Sequence, residues 1–182
     1  MVQLITISDF NSLRALSSNL NSSKKLDPYI LEAQQFDLKP LLGNSFYLAI
    51  CNDFVNGEFT EYVDLFNGSE WTESGLTYRH EGLKSVLVYF SYARYVIESP
   101  LSETANGVVI KTEQYSQSAE DKSLIRRRDT AYSGAQAYWA DVKKFLNDNY
   151  LDYPLWENCD KQVNKSRITA VSNEPKRKRR WH

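Results

Sequence analysis

The side chains that most often perform catalysis or bind metals are few in this sequence. It contains two histidines, His80 and His182, and two cysteines, Cys51 and Cys159. Neither histidine has a Cys, His or acid at metal-ligand spacing, and the chain has no CxxC, P-loop, GxGxxG, HExxH, GxSxG or EF-hand motif. The acids are scattered along the chain. We therefore predict that this protein is not an enzyme and uses no metal or cofactor.

Positive charge is dense near the C-terminus, where an aromatic ring follows five cations: Lys176, Arg177, Lys178, Arg179, Arg180 and Trp181. The whole chain has 22 Lys and Arg against 23 Asp and Glu, so the body without this tail is acidic. An acidic body argues against a basic-domain nucleic-acid reader. By itself the tail is compatible with a phosphate-binding arm, a targeting address, a docking peg for an acidic partner, or a solvated end.

Three consecutive arginines, Arg126, Arg127 and Arg128, lie in the longest predicted helix. Consecutive helical residues point about 100° apart, so at most two of them share a face, and Arg128 is predicted on the apolar seam. The three form either a solvated face held by acids such as Asp129, or a contact with acidic groups or phosphates of a partner.

Arg94, within an apolar helix, is either a rim charge with a packed stem or part of a subunit-interface ion pair.

A strand or extended β-arm is predicted where a glycine precedes Val108, Val109, Ile110 and Lys111. Most strands of this kind simply form the edge of a sheet, but an exposed edge can also pair with another chain. No strong partner strand is visible in the nearby sequence. This segment is therefore expected to project from the body, which favours pairing between subunits.

Helix signals dominate the rest of the chain. Asp27 is predicted to cap a helix that has Pro28 at its first position. Pro40 is predicted to end or kink this helix near Lys39, because proline cannot continue the hydrogen-bond ladder. The apolar face of the helix is predicted to comprise Leu31, Gln35, Leu38 and Leu42.

The pattern as a whole predicts a mainly α fold: a small bundle of about four to five helices, with a short β-arm or hairpin between the last two long helices and an extended C-terminal arm. GLKSVLVYFSYARYVIES is apolar nearly all round and is predicted to be the central helix. Residues 1–150 are predicted to form the helical domain and residues 151–182 the arm with its basic tail. No signal peptide, membrane span or disulfide framework is predicted.

The order of these signals resembles the head–tail connector (adaptor or neck ring) proteins of tailed bacteriophages. It is closest to those of Bacteroidetes phages, including crAss-like phages. The resemblance covers about residues 1–150, and the residues that carry it are Glu32, Ala33, Gln34, Asp37, Leu38, Leu42 and Gly43, the helix 82–95, and Gly107–Lys111.

The resemblance implies a structural virion protein at the neck, assembled in the bacterial cytoplasm. Such subunits form a closed ring, of about twelve copies, below the portal. The ring extends the channel for double-stranded DNA without reading its sequence, and it docks the next neck or tail protein. Trp181 then favours the tail as a peg in a protein pocket. The alternative is a small DNA-binding or packaging accessory protein that uses the tail as a phosphate arm.

Overall fold

A computed structural model describes residues 2–13, 26–104, 107–110 and 121–156 of the chain; in the second hairpin it describes the backbone alone. The helices are α1 (Ile7–Leu13), α2 (Asp27–Ala33), a π-helix (Gln34–Leu38), α3 (Lys39–Leu42), α4 (Asn44–Asp53), α5 (Val63–Asn67), α6 (Gly82–Glu98) and α7 (Asp121–Asp148). The strands are β1 (Ser69–Glu73), β2 (Leu76–His80), β3 (Leu101–Thr104) and β4 (Gly107–Ile110). The predicted mainly helical fold, with a hairpin between the last two long helices, is confirmed.

Helix α6 is the centre of the core, as its all-round apolar pattern predicts. It packs against α7, α2, α5 and α1. Helix α7 runs antiparallel to it, since the Tyr89 ring lies 5.1 Å from Tyr138 while the Phe90 ring lies 5.3 Å from Tyr132. Gly134 permits this close approach, because a Cβ there would lie 2.7 Å from the Tyr89 ring.

Helix α2 begins where the sequence predicts, with Pro28 in its first turn, but the predicted cap is wrong. Leu26 occupies the N-cap position and the helix has no side-chain capping bond. The Asp27 carboxylate instead accepts a hydrogen bond from Gln3 Nε2 at 3.1 Å. Asp27 therefore ties the N-terminal segment to the body.

Pro40 does not end the helical path, so of the two predicted outcomes, an end or a kink near Lys39, the end is wrong. The Lys39 N–H bonds to the Gln34 carbonyl, an i→i+5 bond that defines the π-helix. Pro40 consequently falls in the first turn of α3, where its missing N–H costs little. The path continues to Leu42 and ends at Gly43, whose φ is +81°.

The π-helix also corrects the predicted apolar face. Leu38 and Leu42 are buried as predicted, but on the N-terminal side Ile30 and Gln34 are buried, whereas Leu31 and Gln35 are only half-buried. The π-helix takes more residues per turn than the α-helix, so its insertion shifts the buried positions before it by one residue.

The glycine-rich stretch after α5 forms the β1–β2 hairpin. Its turn residues Ser74 and Gly75 both have positive φ, 52° and 80°, as a type I′ turn requires. At the base of the hairpin, the backbone at Gly82 lies directly against the backbone from Phe66 to Gly68, and we call this close contact the backbone crossing. A Cβ on Gly82 would lie 2.2 Å from the Phe66 carbonyl oxygen and 2.5 Å from the Gly68 nitrogen. This crossing is possible only because both positions are glycine.

Strand β4 pairs with β3 in an antiparallel hairpin, with Leu101 opposite Ile110. The expectation that no partner strand lies nearby was therefore wrong, because the four residues after Pro100 supply one.

Beyond α7, Tyr153 and Trp156 are buried while Leu151 and Leu155 are exposed. The domain boundary at residue 150 stays a prediction, and the arm from residue 157 lies outside the described residues.

Candidate functional site

A groove of about 430 Å³ runs between the C-terminal half of α6 and the N-terminal half of α7. Antiparallel packing brings these two halves together, and the exposed side chains of Ile125 and Tyr132 form part of the wall. Its lining mixes apolar, aromatic and oppositely charged residues: Asp37, Phe90, Ala93, Arg94, Ile97, Glu98, Ile125, Arg128 and Tyr132. Such a lining suits contact with another polypeptide.

Arg94 in the groove is held by its own chain. Its Nε and Nη2 donate to the two Asp37 carboxylate oxygens at 2.7 and 3.1 Å, and Nη1 lies 3.6 Å from Glu32. The guanidinium also lies 5.4 Å from the Phe36 ring centroid. The hydrogen bonds that Arg94 donates to the Asp37 carboxylate raise the pKa of Arg94. The rim-charge interpretation of Arg94 accounts for these contacts, and no partner subunit is needed to pair it.

The predicted arginine run lies on the exposed first part of α7. Arg128 pairs with Asp129 at 3.0 Å, both being largely exposed, and lines the groove. Its predicted place on the buried seam is wrong, because the seam of α7 is formed by Ala131, Ala135, Trp139, Val142, Phe145 and Leu146. Within the described part of the chain, the side chains of Arg126 and Arg127 form no ion pair.

The other predicted contact residues are placed only in part. Val108, Val109 and Ile110 lie in β4, opposite Glu103, Ser102 and Leu101 of β3. Lys111 and the tail Lys176–Trp181 lie outside the described residues. Their roles as subunit or partner contacts therefore stay predictions.

Acidic residues gather at the opposite end of the molecule, around Tyr153. The Tyr153 ring stacks with Tyr62 at 6.2 Å and packs on the Phe145 ring at 5.5 Å, which places it beside the C-terminal part of α7. Burial first, then the nearby charges of Asp64, Asp152 and Glu61, raise the pKa of Tyr153 to about 12. These three carboxylate side chains belong to exposed residues.

A second polar cluster fastens the β1–β2 hairpin to the end of α7. Trp71 Nε1 donates to Asp148 at 2.9 Å, and Lys144 Nζ bridges Asp148 at 2.6 Å and Glu73 at 3.0 Å. The same ammonium lies 3.9 Å from the Tyr78 ring centroid. Burial disfavours the Asp148 carboxylate, but the hydrogen bonds from Lys144 and Trp71 outweigh this and lower its pKa. Because the groups satisfy one another, the cluster is structural.

His80 is a buried core residue. Its Nδ1 accepts from the Gly82 N–H at 3.2 Å, so Nε2 carries the proton and donates to Ser69 Oγ at 3.0 Å. The ring stacks on Phe145 at 4.3 Å, and burial lowers its pKa. Among the described residues, no three His, Cys, Asp or Glu side chains come together in a way that would hold a metal ion.

The fold and the groove define a mainly helical protein with an exposed, mixed-charge contact surface. A family model described as "Family of unknown function (DUF6712)" matches residues 38–166, well over half of the chain. The chain therefore belongs to this family. No curated protein and no solved structure matches it. In the described part of the chain, every helix is too short or too polar to cross a bilayer.

Sequence reasoning missed two side chains that organise the site. Asp37 is one of the residues that carry the resemblance, but its pairing with Arg94 is not visible in the sequence because Arg94 lies in a different helix. Gln34 was taken as part of a motif, yet it is fully buried and bonds the backbone of the N-terminal segment. The available signal was a glutamine on the predicted apolar face of the helix. The π-helix shifts the buried positions by one residue, so the pattern indicated Gln35 instead of Gln34.

Proposed function

We propose that this protein is a structural subunit of the neck of a tailed bacteriophage. It forms a ring below the portal, extends the DNA channel and joins the head to the next neck or tail protein. The proposal starts from the resemblance in residues 1–150. The observation that supports it best is the exposed α6–α7 groove, with Arg126 and Arg127 beside it forming no ion pair within the described residues, because such a surface suits a protein partner.

The charge distribution also supports a conduit role. A lumen lined with cations would hold DNA through its phosphates, whereas an acidic body lets it pass. The chain without its tail has more acids than cations. The five tail cations then serve as a local attachment to an acidic neighbour, and deletion of residues 176–182 should weaken docking while the helical body stays folded.

The test is the composition and appearance of purified virus particles. Mass spectrometry should detect the chain at the copy number of a ring, and averaged images of the neck should contain a ring of matching mass. Mixing purified chain with portal protein should give a complex whose formation depends on the tail. Absence of the chain from purified particles would contradict the proposal.

The density of cations in the tail supports a second candidate, a DNA-binding or packaging accessory protein. This function predicts DNA binding that weakens steeply with salt and disappears when the chain is truncated after Pro175. The same truncation discriminates between the candidates. Loss of portal binding with no measurable DNA binding favours the neck subunit, and loss of DNA binding alone favours the accessory protein.

A further inference from the structure

The first part of α7 is an exposed helix segment with a net positive charge. Residues 121–130 include no buried side chain, although α7 is 28 residues long and well packed beyond that point. Exposed apolar side chains, Ile125 at 46% and Tyr132 at 43%, lie on the same exposed part of α7 as Arg126 and Arg127. We call this surface the basic patch. An apolar centre with charges around it is typical of a protein interface.

The Tyr153 end of the molecule has the complementary composition. Its carboxylates, Glu61, Asp64 and Asp152, are exposed, and in the described part of the chain none of them forms a salt bridge. Two large apolar side chains lie in the same segment, with Leu151 78% and Leu155 44% exposed. We call this surface the acidic patch. Both patches therefore combine exposed apolar area with charges that form no ion pair within the described residues, and the charges have opposite sign.

One molecule cannot bring its own two patches together. The acidic patch lies beside Phe145, which contacts Tyr153, whereas the basic patch includes Arg127 near the start of the same helix. At 1.5 Å per residue, about 27 Å of rigid helix separates these two positions. Each patch can therefore meet the patch of opposite sign only on another molecule.

We propose that a second copy of this chain binds here, with the basic patch of one copy against the acidic patch of the next. This contact is head-to-tail, so each copy keeps one free patch of each sign until a ring closes. DNA fits the basic patch alone and leaves the acidic patch unexplained, whereas a second copy uses both. The closure into a ring rests on the proposed function, but the pairing of patches does not.

A charge-swap experiment on the full chain tests the pairing. The variants are R126E/R127E in the basic patch, D64K/D152K in the acidic patch, and the combination of all four. K39E/R79E reverses two cations outside both patches and serves as the matched control. Self-association is measured by sedimentation velocity at about 0.1 M ionic strength, where the Debye length is about 10 Å, and again at higher salt.

Each patch variant alone should weaken self-association at least about tenfold, since like charges then face each other. A mixture of the two patch variants should associate again, because the patches of the two variants are complementary, and the four-fold variant should also recover. K39E/R79E should match the wild type, and higher salt should weaken wild-type association. Circular dichroism confirms that each variant is folded.

Three results would overturn the pairing: a wild-type chain that stays monomeric, patch variants that associate as the wild type does, or a loss that the mixture does not restore. These outcomes are separate from those of the proposed function. If the chain is found in the virus neck but its self-association does not respond to the charge swaps, the proposed function stands and the pairing is rejected. If the chain pairs as described but is absent from purified virus particles, the pairing stands and the proposed function is rejected.

Discussion

Replacing Gln34 with leucine tests how the N-terminal segment is held to the body. Gln34 is fully buried; its Oε1 accepts from the Leu4 N–H at 2.9 Å and its Nε2 donates to the Val2 carbonyl at 2.9 Å. One side-chain amide thus satisfies both a donor and an acceptor of an extended backbone, as a neighbouring strand would. Leucine has a similar size but can satisfy neither.

The expected cost follows from what the substitution leaves unpaired. Leu4 is 3% exposed, so its N–H loses a partner away from water, which costs about 1–3 kcal/mol. Val2 is 43% exposed, so its carbonyl can be hydrated and adds less. We expect Gln34→Leu to lower the free energy of unfolding by about 2–3 kcal/mol, or the melting temperature by about 5–10 °C.

Urea denaturation followed by circular dichroism measures the stability, and hydrogen exchange measures protection of the Leu4 amide. Gln35→Leu is the matched control, because Gln35 is half-buried and forms no side-chain hydrogen bond within the described residues; it should change stability by less than about 0.5 kcal/mol. The reasoning fails if Gln34→Leu is as stable as the control, or if the Leu4 amide stays equally protected.

Three further predictions concern other parts of the fold. Gly82→Ala should destabilise the protein by about 3 kcal/mol or more, because its Cβ would overlap the Phe66 carbonyl at a positive φ, as denaturation will measure. Stability should fall as pH decreases from about 6.5 towards 5, because burial lowers the pKa of His80 in the folded state and the unfolded chain binds the extra proton. Arg94→Met and Asp37→Asn should each cost about 1–3 kcal/mol and show a coupling of about 1 kcal/mol or more in a double-mutant cycle.

Each of these predictions has a control in the same chain. Gly57→Ala meets nothing within 4 Å at φ +90°, so it should cost only the backbone strain of about 1–2 kcal/mol. His80→Phe should flatten the stability profile between pH 6.5 and 5; an unchanged slope would show that another group titrates. Arg128→Met breaks an exposed ion pair and should cost less than about 1 kcal/mol, so an equal loss at Arg94 would contradict a special role for its pair.

Long apolar patterns were sufficient to predict the main elements. Helix α6 is apolar on several faces, and α7 has an apolar seam along much of its length. The prediction of either helix therefore does not depend on a single residue. Pro28 marked the start of α2. These signals are local, because spacing and turn chemistry act within a few residues.

What the sequence did not reveal depends on residues that are far apart or on one inserted residue. The π-helix moved the buried amide from Gln35 to Gln34, and no propensity marks such an insertion. The Asp37–Arg94 pair joins two helices whose packing must be known first. Strand β3 was missed because its four residues carry little pattern until β4 lies beside them. The groove likewise arises from antiparallel packing of α6 on α7.

The backbone crossing at Gly68 and Gly82 has a consequence for the order of folding. The crossing joins two points separated by a short stretch of chain, so its loop-closure entropy is small and it can form early. Once formed, it positions the first turn of α6 against the end of α5. Helix α6 is the element on which the rest of the core packs, so we predict that the glycine crossing forms before the longer-range contacts of α7.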